Sequence, residues 1–231
     1  MPQIRGILFD KDGTLFDFHG TWASWARGLL LDLAGGDPAR AAALGRAAGY
    51  DMDSGVFHPA SPVIAHTPEE IAEVLLPHLP GANPIGLVAR MNALAADAPM
   101  AEAVPLLPLL SRLRAAELAL GVATNDAERP ARAHLAVVGV EALFDFVAGS
   151  DSGHGAKPAP GPLLAFARAA GLDPAEIVMV GDSAHDLHAG RAAGMACVAV
   201  LTGLATREDL APLADAVLPD IGHLPGWLGL D

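Results

Sequence analysis

Short apolar runs alternate with helix-length segments over most of this sequence, and this alternation most constrains the fold. The runs rich in β-forming residues are IRGILF, LALGVAT, FDFVAGS, EIVMVGD and ACVAVLTG. Between them lie segments such as LLPLLSRLRAAE and PGPLLAFARAAG, whose apolar residues follow helical spacing. Strands that alternate with helices form parallel sheets with helices on both faces. The sequence therefore predicts an α/β protein with a Rossmann-like, doubly wound parallel sheet.

One helical region interrupts the alternation after the first strand. Helical patterns follow one another from WASWARGLLLDLA (22–34) to a stretch near residues 85–96, with few strand signals between them. The alternation of strands and helices returns at about residue 100. We therefore expect a core built from residues 1–15 and 93–231, with residues 16–92 inserted as an α-helical cap.

Composition narrows the classes of partner. A net charge of −13, with 14 Lys and Arg against 27 acidic residues, disfavours binding to the phosphates of nucleic acid. Although 52% of the residues are hydrophobic, the apolar runs are too short for a spanning helix, so no membrane partner is expected. The first strand begins almost at once and leaves no room for a secretory signal, which favours a cytoplasmic protein. The oligomeric state is left open.

Two carboxylates end the first predicted strand. Asp10 and Asp12 follow the run IRGILF, and Gly13 then permits a tight turn. Polar residues also end the later strands, and the carboxyl ends of parallel strands form the edge where such sheets bind ligands. An isolated pair of aspartates would favour a structural role in a turn or a helix cap. A shared site therefore depends on what the other strand ends contribute.

Four stretches occur in order at the predicted strand ends: FDKDGTL (9–15), VATND (122–126), GAKPAPGPLL (155–164) and VGDSAHDLHAGRAAG (180–194). Together they resemble the haloacid dehalogenase-like hydrolases, in particular the branch around phosphoglycolate phosphatase, which carries a helical cap just after the first motif. The resemblance extends to the position of the insert. One such motif is weak evidence, whereas four in order at strand ends are strong.

The resemblance implies covalent catalysis by the first motif. Asp10 matches the family nucleophile, which forms an aspartyl phosphate. Asp12 matches the acid that protonates the departing oxygen and then deprotonates the attacking water. Thr124 and the backbone amide of Asn125 match the groups that bind phosphoryl oxygens, and Lys157 matches the positive charge placed on the phosphoryl group.

The resemblance also implies a Mg²⁺ site. Asp10, the backbone carbonyl of Asp12 and Asp182 match the family's oxygen ligands, which suit a hard cation. Asp186 lies one helical turn after Asp182 and is expected to hold a metal-bound water or to orient Lys157.

The same residues bear on related reactions in this family. Asp12 argues against a dehalogenase, because attack on carbon needs no proton-shuttling acid at that position. The chain has only two lysines, Lys11 and Lys157, so a cap lysine for Schiff-base cleavage of phosphonates is lacking. A phosphomutase or a non-catalytic binding or regulatory protein stays open. The expected activity is Mg²⁺-dependent hydrolysis of a small phosphorylated metabolite, with phosphoglycolate as the first candidate.

Substrate recognition in the cap is predicted from loop composition and charge alone. Arg27, His58 and His66 are the candidate contacts to an anionic substrate, because the loop GVFHPASPVIAHT (55–67) is suited to close over the site.

Other polar and aromatic residues near the motifs are given structural roles. Trp22 and Trp25 are expected to pack in the core or at the cap hinge, and Asp126 to be a solvated loop acid. On an alternating strand, Lys11 would point away from the two aspartates, so little catalytic effect is expected.

Overall fold

The structure is a computed structural model that describes residues 3–230, and its framework is a six-stranded parallel sheet. The strands are β1 (Gly6–Phe9), β2 (Ala119–Ala123), β3 (Phe146–Ala148), β4 (Ile177–Gly181), β5 (Ala196–Val200) and β6 (Ala216–Leu218). They lie in the order β3-β2-β1-β4-β5-β6, and every neighbouring pair is parallel. The chain therefore winds outward in both directions from β1, which confirms the predicted doubly wound α/β fold.

Ten α-helices surround the sheet or follow its strands within the described part of the chain. They are α1 (Phe18–Leu33), α2 (Pro38–Ala48), α3 (Pro68–Leu75), α4 (Pro84–Ala96), α5 (Leu106–Ala115), α6 (Glu128–Val137), α7 (Gly161–Ala170), α8 (Ala184–Ala193), α9 (Arg207–Leu210) and α10 (Leu224–Trp227). Short 3-10 turns occupy Pro62–Ile64, Leu76–His78, Glu141–Leu143, Pro174–Glu176 and Ile221–His223.

Both faces of the sheet are covered because side chains alternate along each strand. Ile7 and Phe9 of β1 pack into one apolar cluster with residues of α5 and α6, whereas Leu8 packs into another with residues of α7 and α8. All three side chains are fully buried. This double burial is what makes the strands read as continuous apolar runs.

Helices α1–α4, which we call the cap helices, have an apolar cluster of their own. Trp25 and Leu29 of α1 pack there with Leu44 of α2 and Met91 of α4. The ends of these helices follow local signals, since Thr67 forms a capping box at the start of α3. Helix α4 continues unbroken to Ala96, beyond residue 92. The division of the chain into core and cap at those residues stays a prediction.

The carboxy-terminal region completes the sheet. Strand β6 pairs with β5 at its edge, and Leu224 of α10 is buried in the same cluster as Ile7. Within residues 3–230, no helix combines the length and apolar character needed to cross a bilayer.

Candidate active site

Three carboxylates meet where the winding of the sheet changes direction. Asp10 follows β1, Asp182 follows the adjacent strand β4, and Asp186 lies in the first turn of α8. The backbone amide of Asp10 donates to the carbonyl of Val180 (2.8 Å), which extends the pairing of the two strands to the site. Carboxylate oxygens of the three residues lie within 4.8 Å of one another, and all three residues are buried.

Glycines, among them Gly13 and Gly181, allow the close approach of these carboxylates. A Cβ on Gly13, where φ is +79°, would lie 2.4 Å from Oδ2 of Asp182. A Cβ on Gly181 would lie 2.3 Å from Cβ of Asp186. Any side chain at either position would therefore displace an acid of the cluster.

Lys157 bridges two of the acids. Its Nζ donates to Oδ1 of Asp10 and to Oδ1 of Asp186, both at 2.6 Å. The other oxygen of Asp186 accepts from the backbone amide (3.1 Å) and the hydroxyl (2.6 Å) of Ser183. Asp186 is thus held at both oxygens, and the Lys157 ammonium is fixed beside Asp10.

Burial governs the ionisation of this cluster. It raises the pKa of Asp10 to about 7, although Lys157 acts in the opposite direction. Burial, followed by repulsion from Asp10 and Asp186, raises the pKa of Asp182 well above its ordinary value. Burial alone would lower the pKa of Lys157, but the two carboxylates outweigh it and raise the pKa. The ammonium of Lys157 therefore does not balance the negative charge of the three carboxylates.

The donor set fits a hard divalent cation. The clustered groups of Asp10, Asp182 and Asp186 offer oxygen atoms, the ligands that Mg²⁺ prefers. A cation among these acids would also offset the repulsion that raises their pKa values. The residues present therefore match the expected metal in chemistry.

Thr124 and Asn125, which follow β2, are buried beside the acids. Thr124 Oγ1 accepts from the backbone amide of Asp126 (3.1 Å), which leaves its hydroxyl hydrogen to donate. The Asn125 side chain donates to the carbonyls of Ala65 (2.7 Å) and Lys157 (2.8 Å) and accepts from the amide of Lys157 (2.9 Å). Asn125 thus ties the segment that carries Lys157 to the loop before α3.

All these side chains line one cavity between the sheet edge and the cap helices. Its core side carries Asp10, Asp12, Thr124, Asn125, Asp126, Lys157, Asp182 and Asp186. The structure therefore brings together every core residue that the sequence singled out.

Of the three candidate cap residues, one lines the cavity and two do not. His66 lines the mouth of the cavity and is solvent-exposed. Arg27 instead donates to the carbonyl of Met52 (2.6 Å), and exposed His58 accepts from the amide of Ala60 (3.1 Å). Neither lines the cavity in this structure, and their role as substrate contacts stays a prediction. The part of the loop that carries His58 packs back on the cap, where the His58 amide donates to the carbonyl of Gly49 (2.7 Å), which composition alone does not reveal.

Lys11 does not point away from the aspartates, contrary to the sequence expectation. Its buried Nζ donates to Oδ1 of Asp12 (2.8 Å) and lies 3.3 Å from Oδ2 of Asp126. The same Nζ lies 3.0 Å from Nδ1 of His134 and 5.1 Å from the centre of the Trp22 ring. The charges of Asp12 and Asp126 outweigh burial and raise the pKa of Lys11. The network joins the first motif to α1 and α6.

The failed prediction has a local cause. Strand β1 ends at Phe9, and the amides of Leu15 and Phe16 both donate to the carbonyl of Lys11 (2.9 and 3.1 Å). The chain has therefore left the extended geometry in which alternate residues face opposite sides.

His134 is part of the same network and was not singled out from the sequence. Because the Lys11 ammonium can only donate, Nδ1 of His134 accepts, and Nε2 donates to the carbonyl of Ala95 in α4 (2.7 Å). Burial and then the charge of Lys11 lower the pKa of His134 to about 4. A lone histidine in a helix carries no sequence signal for this role.

Other cavity residues also differ from expectation. Trp22 and Trp25 pack in the cap but also line the cavity, as do Met91 and Asn92 of α4, which no motif marked. Asp126 is not a solvated loop acid: its side chain is 8% exposed, and burial raises its pKa to about 6 against the effect of Lys11.

Known proteins resemble this chain in sequence. A phosphoglycolate phosphatase from Rhodospirillum rubrum is 40% identical over 124 residues, 53% of this chain and 51% of that protein. A phosphoglycolate phosphatase from Xylella fastidiosa is 32% identical over 210 residues, 89% of this chain and 83% of that one. The aligned region thus spans about half the length of the first relative and most of the second.

Solved structures share the fold. A predicted phosphoglycolate phosphatase from Haemophilus somnus superposes with a TM-score of 0.74 at 19% identity, covering 98% of this chain and 99% of that one. CbbY from Rhodobacter sphaeroides, solved in complex with phosphate, gives 0.71 at 24% identity, with 96% of each chain covered.

The family model of the haloacid dehalogenase-like hydrolases matches residues 4–194. This region contains β1–β4, the cap helices and all the acids of the cavity. The protein therefore belongs to the haloacid dehalogenase-like hydrolases.

Proposed function

We propose that this protein is a Mg²⁺-dependent phosphatase that hydrolyses a small phosphorylated metabolite through an aspartyl phosphate on Asp10. The observation that carries this proposal is the buried Asp10–Lys157–Asp186 arrangement, with Asp182 beside it and a cavity in front. A carboxylate held by an ammonium at 2.6 Å is fixed as a nucleophile, and the same ammonium offsets phosphoryl charge.

The first step is attack on phosphorus by an oxygen of Asp10. The bond from that oxygen to phosphorus forms as the bond from phosphorus to the leaving oxygen breaks, and Asp12 gives its proton to the leaving oxygen. Lys157, the Thr124 hydroxyl and the backbone amide of Asn125 hold the phosphoryl oxygens. Asp12 lines the cavity with Asp10, as this role requires.

The second step regenerates the enzyme. Asp12 accepts a proton from water as the water oxygen attacks phosphorus, and cleavage of the bond to Asp10 releases inorganic phosphate. Asp10, Asp182 and the backbone carbonyl of Asp12 would hold Mg²⁺, which supplies charge neutralisation at the phosphoryl oxygens. Asp186 keeps Lys157 in place through its 2.6 Å hydrogen bond.

Phosphoglycolate is the reference substrate, because relatives that cover much of the chain are phosphoglycolate phosphatases. The experiment measures phosphate release from p-nitrophenyl phosphate, 2-phosphoglycolate and a panel of phosphometabolites, with Mg²⁺ and with EDTA. Native protein is compared with Asp10→Asn and with Asp53→Asn, whose carboxylate is exposed outside the cavity.

We expect Mg²⁺-dependent turnover that Asp10→Asn abolishes and Asp53→Asn preserves. Turnover that survives in Asp10→Asn would contradict the assigned nucleophile. Silence of the native protein on every compound would instead favour a phosphomutase or a binding protein on the same fold.

A further inference from the structure

The cavity wall opposite the phosphoryl site is apolar. It carries Phe18, Trp22, Trp25, Val63, Ile71 and Met91, all from the cap helices and the loop before α3. Among the described cap residues, the polar side chains that reach this wall are half-buried Asn92 and exposed His66. The part of a substrate that leaves with its alcohol oxygen would lie against this wall.

Positive charge is scarce in the same cavity. Within the described chain, five carboxylates line it, and Lys157 is the one lysine or arginine that does so. The cap arginines lie elsewhere: Arg27 donates to the Met52 carbonyl, and Arg90 pairs with Asp32.

We propose, on the basis of the function proposed above, that the substrate is a phosphate monoester of an uncharged alcohol with an apolar, flat portion. A carboxylate against this wall would lose its hydration without gaining a counterion and would face the acids of the core side. Aromatic and apolar atoms would pack on Trp22 and Trp25, and a single polar group would meet Asn92.

Matched pairs of esters test this inference. The first pair is 2-phosphoglycolate and its carboxamide, and the second is benzyl phosphate and 4-carboxybenzyl phosphate. We expect the neutral member of each pair to have a kcat/KM at least about tenfold higher, chiefly through a lower KM. Equal or better turnover of the carboxylated members would overturn the inference while leaving the phosphatase intact. If the protein hydrolyses neither the esters of these pairs nor p-nitrophenyl phosphate, the proposed function fails, and this inference fails with it.

A charged variant provides the reverse test. Asn92→Lys places an ammonium at a half-buried position of the wall, and Asn92→Gln serves as the uncharged control. We expect Asn92→Lys to shift the preference within each pair towards the carboxylate by about tenfold, and Asn92→Gln to leave that ratio unchanged. If Asn92→Lys left the kcat/KM ratio of the neutral and carboxylated esters unchanged, the inference that this wall selects substrates by charge would be contradicted.

A different observation carries a second inference, which concerns Lys11. Its fully buried ammonium contacts Asp12 and Asp126 and lies over the ring of Trp22 in α1. Through His134 it also connects to the carbonyl of Ala95 in α4. One side chain therefore links the carboxylate of Asp12 to two cap helices.

We infer that Lys11 is a positioning residue that fixes the Asp12 carboxylate for proton transfer when the cap helices are packed as in this structure. A lysine that only neutralised Asp126 would not need the 2.8 Å hydrogen bond to Asp12. Positioning of a general acid affects reactions that need the acid, whereas a structural role affects all substrates alike.

The test compares two leaving groups in Lys11→Met. Benzyl phosphate needs a proton on its departing oxygen, whereas p-nitrophenyl phosphate releases a stable phenolate. We expect kcat/KM for benzyl phosphate to fall by about 10²-fold and that for p-nitrophenyl phosphate by less than about threefold. Lys11→Arg should restore part of the difference.

Equal losses for both substrates would show a structural role. If Lys11→Met does not fold, the double variant with Asp126→Asn removes the unpaired buried acid and gives the same comparison.

Discussion

The two lysines of this chain have similar charged surroundings but contact different parts of the fold. Lys157 lies between Asp10 and Asp186, and Lys11 lies between Asp12 and Asp126. Both are buried, and in both the carboxylates outweigh the cost of burial. A buried ammonium is stable here because two acids share it.

Their connections separate them. The ion pairs of Lys157 are made with Asp10 after β1 and Asp186 of α8, all within the core. Lys11 contacts Trp22 of α1 and, through His134, reaches α4. The ion pairs of the first lysine are therefore made without the cap helices, whereas the contacts of the second depend on how those helices pack on the core.

The largest effect is expected when Lys157 is removed. Lys157→Met leaves Asp10 and Asp186 without their shared cation, so kcat for phosphate release should fall by about 10³-fold. Circular dichroism would verify the fold, and Lys157→Arg would test whether charge alone suffices. A loss below about tenfold would contradict the role of Lys157 at the phosphoryl group.

The next effect concerns stability at Lys11. Lys11→Met leaves Asp126 buried and unpaired, so the free energy of unfolding should fall by about 3 kcal/mol. Urea unfolding of native protein, Lys11→Met, Asp126→Asn and the double variant forms a complete cycle. The double variant should recover part of the loss; strict additivity of the two single effects would show that the ion pair is not coupled.

A smaller effect on stability is expected from His134 of the Lys11 network when the pH is lowered. His134 has a pKa of about 4 in the folded protein and 6.5 as its ordinary value, so below about pH 6.5 the unfolded chain binds a proton that the folded one excludes. Its contribution to stability is present above that pH and is lost as the pH falls towards 4. Between about pH 7 and pH 5 the loss should be about 2 kcal/mol.

His134→Gln isolates this contribution, because an amide can accept from Lys11 and donate to Ala95 without titrating. Urea unfolding at the two pH values should show a smaller drop for His134→Gln than for the native protein. The same drop in both would mean that other groups account for the acid sensitivity.

The smallest effect is expected at cap residues outside both lysine networks. Arg27→Ala and His58→Ala should change kcat/KM by less than about twofold for any active substrate, since neither side chain lines the cavity. Steady-state kinetics with the best compound of the panel would measure this. A large rise in KM for His58→Ala would indicate that the 55–67 loop moves onto the substrate, and one for Arg27→Ala would restore that residue as a substrate contact.

The core motifs could be predicted because each is local. Asp10, Asp182 and Thr124 all follow strands, and parallel strands bring their carboxyl ends to one edge whatever the details of packing. The cap residues could not be predicted in this way. Whether His58 or His66 reaches the cavity depends on how a turn-rich loop packs, and loop composition does not encode that packing.

By itself the sequence determined the α/β class, the doubly wound sheet and the set of core side chains at its carboxyl edge. The periodicity of apolar residues fixes which faces are buried, and strand ends fix where polar groups gather. Tertiary structure alone decided that Lys11 joins Asp12, that Asp126 is buried, and that the wall of the cavity is apolar. Apart from the contact between the neighbours Lys11 and Asp12, these features arise between residues far apart in the chain, such as Lys11 and Asp126. Burial, charge pairing and helix packing act together there and leave no local pattern.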